Sequence, residues 1–117
     1  MKKKILAIDD DECVLCIMEK VLGQSFDVMV TSDPTEFLSA FKKSSPDIIV
    51  VDLVMPQRSG IQLMQDIRAT GSKTPILVCS GSTSPQMQKE ALKLGNRFLR
   101  KPCNQFDILS EIESMVA

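Results

Sequence analysis

Short runs of consecutive apolar residues, rich in β-branched side chains, alternate along this chain with longer stretches where apolar residues return every three or four positions. The first pattern suits strands buried on both faces, the second suits helices with one buried stripe. Lys4 to Ile8 reads as a first strand. Val14, Ile17, Met18 and Val21 then set a helix over about Glu12 to Leu22, stopped by Gly23. Phe26 to Thr31 is a second strand. Ser32-Asp33-Pro34-Thr35-Glu36 opens a second helix, with Asp33 as N-cap, Glu36 at the capping-box position, and Phe37, Leu38 and Phe41 facing inward. Ile48 to Val51 is an unbroken apolar run that ends on one acid, Asp52. Ser59-Gly60 starts a third helix with Ile61, Met64 and Ile67 inward, ending near Gly71. Pro75 to Ser80 is a fourth strand. Ser84-Pro85 begins a fourth helix, to about Leu94, whose apolar face is thin (Met87, Ala91, Leu94). Arg97 to Arg100 is a short fifth strand, broken by Pro102. A last helix over about Asn104 to Val116 turns Leu109, Ile112 and Val116 inward.

This strict alternation predicts an α/β domain, a parallel sheet with helices on both faces. For five units in 117 residues the expected order is 2-1-3-4-5, the doubly wound, flavodoxin-like (βα)5 arrangement, as one domain over residues 1–117. Ligands of such sheets bind at the carboxyl ends of the strands, and in this order strands one and three are neighbours there. Asp9 and Asp10 are thus expected beside Asp52, with Ser80 next to them. Strand five stands further out, where only a long side chain reaches back, and Lys101 is at its tip.

Composition narrows the chemistry. The formal net charge is −1, which argues against general affinity for nucleic acid or membranes. The apolar run after Lys2-Lys3-Lys4 is cut short by Asp9-Asp10-Asp11-Glu12, too early for a signal peptide or a membrane span, so a cytoplasmic location is expected. The four cysteines then read as free thiols. Cys13-Val14-Leu15-Cys16 has the spacing of a redox motif, yet the acids ahead of it are poor company for a reactive thiolate. It reads as structural, as do Cys79 and Cys103. With no histidine, His-based acid–base catalysis and the usual zinc sites are excluded.

Asp9, Asp10 and Asp52 crowd negative charge into one cleft, which destabilises a fold unless a hard cation sits among them. Carboxylates, a backbone carbonyl and waters suit Mg²⁺. Lys101 and the Ser80 hydroxyl add a charge and a donor, so that phosphoryl oxygens could be neutralised there. Phosphoryl transfer needs little beyond positioning and such stabilisation. One carboxylate must then accept the group as an acyl phosphate, and Asp52 is the better candidate.

With these residues in order, the chain resembles the receiver domain of two-component response regulators over its whole length. Ile8-Asp9-Asp10 resembles that family's acidic pair, and Asp47 to Pro56 with Gly60 its phosphoacceptor segment. Pro75 to Gly81 resembles its fourth strand, and Phe98 to Pro102 its Lys-Pro signature. The resemblance implies that Asp52 is phosphorylated by a histidine kinase or phosphotransferase. It also implies Mg²⁺ held by Asp10, Asp52 and the Val54 backbone carbonyl, with Asp9 helping through water. Lys101 would pair with the acceptor and then with the phosphoryl group. Ser80 would swing in to bond the phosphate, Phe98 would repack inward as a switch residue, and the Lys101–Pro102 peptide would be cis. The altered surface would span the fourth helix, fifth strand and fifth helix. With no output domain after Ala117, a stand-alone receiver acting on a downstream protein effector is expected, and no enzymatic activity beyond its own phosphoryl transfer and dephosphorylation.

The chain departs from that pattern in three places. The interval from Gly95 to Lys101 is one residue short. Phe98 stands where Tyr is frequent. Val54 and Ser82 occupy positions that tune water access. Three other readings compete. A haloacid-dehalogenase-type phosphatase also uses an Asp nucleophile, but it has a second acid where Val54 stands, and a cap domain. A flavodoxin needs hydroxyls and amides after the first strand, where this chain is acidic. A receiver-like docking scaffold without phosphorylation would not need the full set of side chains.

Overall fold

A computed structural model describes residues 2–53, 55, 59–81, 84–101 and 104–116. Five parallel strands form one sheet in the order β2-β1-β3-β4-β5. They are β1 (Lys4–Ile8), β2 (Asp27–Thr31), β3 (Ile48–Asp52), β4 (Ile76–Ser80) and β5 (Arg97–Arg100), and they alternate with α1 (Glu12–Leu22), α2 (Phe37–Ser44), α3 (Gly60–Ala69), α4 (Pro85–Leu94) and α5 (Gln105–Val116). This is the predicted flavodoxin-like topology. The central strand β3 is buried along its whole length, as its continuous apolar run requires.

Successive side chains of a strand point to opposite faces, and the two cores separate on that rule. Leu6, Ile8, Ile49, Val51, Ile76 and Val78 pack with residues of α2, α3 and α4, including Phe37, Leu63, Met64, Ile67 and Ala91. Ile5, Ala7, Ile48, Val50, Leu77 and Cys79 pack with Leu15, Met18 and Leu22 of α1 and with Ile108 and Ile112 of α5.

Several local expectations shift. In α1 the buried stripe is Leu15, Met18 and Leu22, and Ile17 is 48% exposed. Apolar residues lie almost all round this helix, so two stripes share Met18, and docking on α5 and β2 selects the other one. Cys13 and Cys16 are exposed, so they do not pack the core as structural thiols would, whereas Cys79 is buried. Cys103 lies outside the described residues. The second helix opens with a 3-10 turn, Pro34–Glu36, in which Asp33 caps the Thr35 amide and not that of Glu36. The predicted capping box does not form there because the turn is tighter than an α-turn. In α5 Ile108 and Ile112 are the buried pair, with Leu109 and Val116 only half-buried. Its start is tied by Asn104 and Asp107, each of whose side chains accepts the other's backbone N–H, at 2.9 and 3.2 Å.

The two ends of the sheet are held differently. At the amino ends of the strands, Arg68 donates to the carbonyls of Leu94 (2.8 Å), Thr74 (2.8 Å) and Ser72 (3.2 Å), and so joins the last turns of α3 and α4 to the loop before β4. At the carboxyl ends, α3 starts hard against β3. Gly60 N donates to Leu53 O at 2.9 Å, and Ser59 and Gln62 form a capping box. A Cβ on Gly60 would collide with the Asp52 carbonyl oxygen and lie 2.7 Å from Val51 Cγ1 and 2.9 Å from Leu53 Cα. Only glycine fits, and the close approach keeps the Asp52 backbone fixed. Gly60→Ala should therefore lower stability by about 1–3 kcal/mol or more, the range for overpacking against neighbours that cannot yield. Urea unfolding measures this, and an unchanged midpoint would show that α3 can retreat from β3.

Candidate functional site

The tips of β1, β3 and β5 bring three of the expected groups together on one side of the sheet. Asp9 follows Ile8 at the end of β1, Asp52 ends β3, and Lys101 follows Arg100 at the end of β5. The parallel register lays β1 beside β3 and β3 beside β4, with Asp52 opposite Cys79. Lys101 N donates to Ser80 O at 2.9 Å, so the ladder continues one residue past β5 and fixes where the lysine leaves the sheet. Its side chain then crosses the tip of β4. Nζ lies 2.9 Å from Asp9 Oδ2 and 3.7 Å from Asp52 Oδ2. The direct hydrogen bond is thus to Asp9, with the expected phosphoacceptor as the second, more distant ion-pair partner.

Asp9 and Asp52 are buried, at 2% and 6% exposure, while Asp10 is exposed. Each of the three offers a carboxylate oxygen, and these oxygens lie within 4.8 Å of one another. One ammonium cannot balance three carboxylates at this spacing. The donor set is hard oxygen throughout, and the exposed Asp10 leaves water free access, which fits a hard divalent cation that keeps part of its hydration shell. The acidic cluster could hold such an ion. Val54, expected to add a carbonyl ligand, lies outside the described residues. So do Ser82 and the Lys101–Pro102 peptide.

Burial acts on Lys101 to favour the neutral amine. The hydrogen bond that Lys101 donates to Asp9 and the charges of Asp52 and Asp9 outweigh it, and hold the lysine above its usual 10.5. Asp9 is engaged through both oxygens, since Oδ1 accepts the Asp11 amide at 3.0 Å. Asp11 in turn caps α1, accepting from Cys13 N at 2.9 Å and Val14 N at 3.4 Å. Charge spacing along the sequence could not reveal this chain from Lys101 through Asp9 to the first turn of α1. The only signal for it was an acid at an N-cap position.

Ser80 is fully buried at the end of β4. By strand alternation it shares the α3/α4 face with Ile76 and Val78, opposite to the face of Cys79 and Asp52. Phe98, half-buried, pairs with Val78 in the register and packs on the same face. The two expected switch residues are therefore on one side of the sheet, and Asp9, Asp52 and Lys101 on the other.

Comparisons with known proteins bear on the family and the fold. The family model described as the response regulator receiver domain matches residues 5–113. A chemotaxis protein CheY from Halobacterium salinarum is 25% identical over 118 residues, covering 99% of this chain and 98% of that protein. The transcriptional regulatory protein PhoP of Bacillus subtilis is 28% identical, but this chain spans only 49% of its length. Among solved structures, the chemotaxis response regulator CheY4 of Vibrio cholerae superposes with a TM-score of 0.88 at 26% identity, over 97% of this chain and 98% of that one.

The Lys101 geometry sets a pH dependence. A lysine whose folded pKa lies above its unfolded value stabilises fully below the unfolded value, and that contribution is lost as pH rises through the folded one. Lys101→Met should be less stable than the wild type by about 1–3 kcal/mol, below the full range for a broken buried pair because the lysine side chain is 31% exposed. The gap should stay constant from about pH 7 to about pH 9 and narrow only above the usual lysine range. Urea unfolding across that series checks it, and a gap that closes below about pH 9 would place the stabilisation elsewhere.

Proposed function

The chain belongs to the response regulator receiver domain family, and on that footing we propose that Asp52 accepts a phosphoryl group from a histidine kinase or histidine phosphotransferase, in a Mg²⁺-dependent reaction. The observation that carries the reading is the position of Asp52, buried at the tip of the central strand, in a carboxylate cluster and 3.7 Å from Lys101 Nζ. An Asp52 oxygen attacks phosphorus, the donor's bond to phosphorus breaks, and a mixed anhydride remains on the side chain. Gly60 and the β3 ladder hold the acceptor still. The Lys101 ammonium sits within one short displacement of an oxygen carried on Asp52, so charge stabilisation is already in place when the group arrives. Asp9, hydrogen-bonded to Lys101, keeps that ammonium over the cleft. Asp9, Asp10, Asp52 and the Val54 carbonyl would hold Mg²⁺, which, when bound, neutralises charge on the phosphoryl oxygens.

Readout follows from the other face. Ser80 and Phe98 lie together there, so movement of the Ser80 hydroxyl toward a phosphoryl group vacates space beside β4 into which Phe98 can turn. The adjoining helix α4 buries only Ala91 fully, with Met87 and Leu94 partly covered, so the core holds it lightly. We infer that the face formed by α4, β5 and α5 changes on phosphorylation and engages a downstream protein effector. The protein then acts as a signalling switch, with no catalysis beyond its own phosphoryl transfer and hydrolysis.

Incubation with Mg²⁺ and acetyl phosphate, read by intact mass, tests the acceptor. The wild type should gain one phosphoryl group, and Asp52→Asn, or the wild type with a chelator, should gain none. An equal gain in Asp52→Asn would move the chemistry to another residue. Addition of beryllofluoride with Mg²⁺, as a mimic of the phosphoryl group, should shift backbone amides along α4, β5 and the start of α5. Shifts confined to the strand tips would remove the proposed output face.

A further inference from the structure

Cys13 and Cys16 play no part in the chemistry above. Both thiols are exposed, and α1 turns Leu15, Met18 and Leu22 to the core instead. Three residues apart on a helix, they lie on one side and about one turn apart. The helix repeat puts their Cα atoms about 5 Å apart, inside the range of about 4.4–6.8 Å that a disulfide spans. Their Cβ atoms, at about 5–6 Å on a regular helix, must come within about 3.5–4.5 Å for the bond to form. Closure therefore pulls on the first turn of α1.

That turn is capped by the Asp11 side chain. Asp11 Oδ1 accepts from Cys13 N at 2.9 Å and from Val14 N at 3.4 Å, and Asp11 N donates to Asp9 Oδ1 at 3.0 Å. The backbone of Cys13 is thus joined through one residue to a buried carboxylate of the acidic cluster.

We propose that Cys13 and Cys16 form a dithiol modification site that closes to a disulfide by exchange with a small-molecule disulfide, and that closure loosens the Asp11 cap and shifts the tip carrying Asp9 and Asp10. In the first step one thiolate attacks a sulfur of, for example, glutathione disulfide, forming a mixed disulfide and releasing one glutathione thiolate. The second thiolate then displaces the remaining glutathione. Two protons and two electrons leave the cysteine pair, and one glutathione disulfide becomes two glutathione thiols. Because the bond is exposed and strains the turn it closes, a dithiol reductant should reverse it readily. This site stands independently of phosphorylation at Asp52.

Trypsin leaves Cys13 and Cys16 together in the peptide of residues 5–20, apart from Cys79 and Cys103. The folded protein is incubated with glutathione disulfide, quenched by alkylation and digested, and a ¹⁵N-labelled sample is followed by NMR. In the wild type the peptide should lose two hydrogens, on the order of ten-fold in excess of peptide carrying two glutathiones, because the second thiol is held nearby. Cys13→Ser and Cys16→Ser should each take up a single glutathione instead. The Asp10 and Asp11 amides should move on oxidation of the wild type, return with dithiothreitol, and move less in glutathionylated Cys16→Ser. A wild-type peptide that collects two glutathiones without closing overturns the proposal. Closure that leaves the Asp10 and Asp11 amides in place overturns it equally.

Discussion

Among the described residues, three carboxylates share one cleft with a single ammonium, and the rest of the structure can be understood from that imbalance. Lys101 reaches across the tip of β4 to bond Asp9 at 2.9 Å and to stand 3.7 Å from Asp52. It neutralises part of the charge and leaves the remainder available to a cation. Such a cluster is a liability for stability alone, because buried like charges repel strongly in a medium of low polarisability. The fold tolerates it by bringing rigid elements up to each member. The parallel ladder holds Asp52 and Lys101, the Asp11 amide holds Asp9, and the glycine start of α3 presses against the Asp52 carbonyl. A site assembled on strand ends is more accurately placed than one built on free loops.

The two faces of the sheet divide the labour. Asp9, Asp52 and Lys101 belong to the side covered by α1 and α5, and Ser80 and Phe98 to the side covered by α2, α3 and α4. In the proposed mechanism, chemistry on one face is reported on the other through Ser80, which sits at the strand tip between them. The anchoring of the helices fits this division. The end of α4 near Leu94 is tied by Arg68, whereas its first turn is covered only in part, at Met87, and capped by Ser84. A shift of α4 would therefore pivot on its last turn.

Much of this was legible in the residues. The apolar runs placed the three inner strands, because a strand buried on both faces has no polar position to confuse the pattern, and the regular alternation with helices located the edge strands β2 and β5. The order 2-1-3-4-5 followed from regular alternation in a short chain, and strand-end positions then predicted the meeting of Asp9, Asp10 and Asp52. Helix faces were less legible. Apolar residues in α1 and α5 exceed what one stripe needs, so tertiary docking chose Leu15 over Val14 and Ile108 over Leu109 as the buried residue. Side-chain partners could not be read at all. That Lys101 bonds Asp9 more closely than Asp52, that Asp11 links the cluster to α1, and that Arg68 joins two helix ends all depend on distances set by the whole fold.

The central claim is that the acids at the strand tips are under-compensated and that a divalent cation would stabilise them. With no Trp or Tyr in the chain, intrinsic fluorescence is a poor reporter, and calorimetric melting is the direct measurement. Asp10→Asn removes one carboxylate from the cluster at its exposed edge. The account predicts that this variant melts higher than the wild type in chelator, and that Mg²⁺ raises the wild-type melting temperature but scarcely moves that of the variant. A variant that melts no higher than the wild type in chelator, together with an equal rise on Mg²⁺ addition in both proteins, would contradict it.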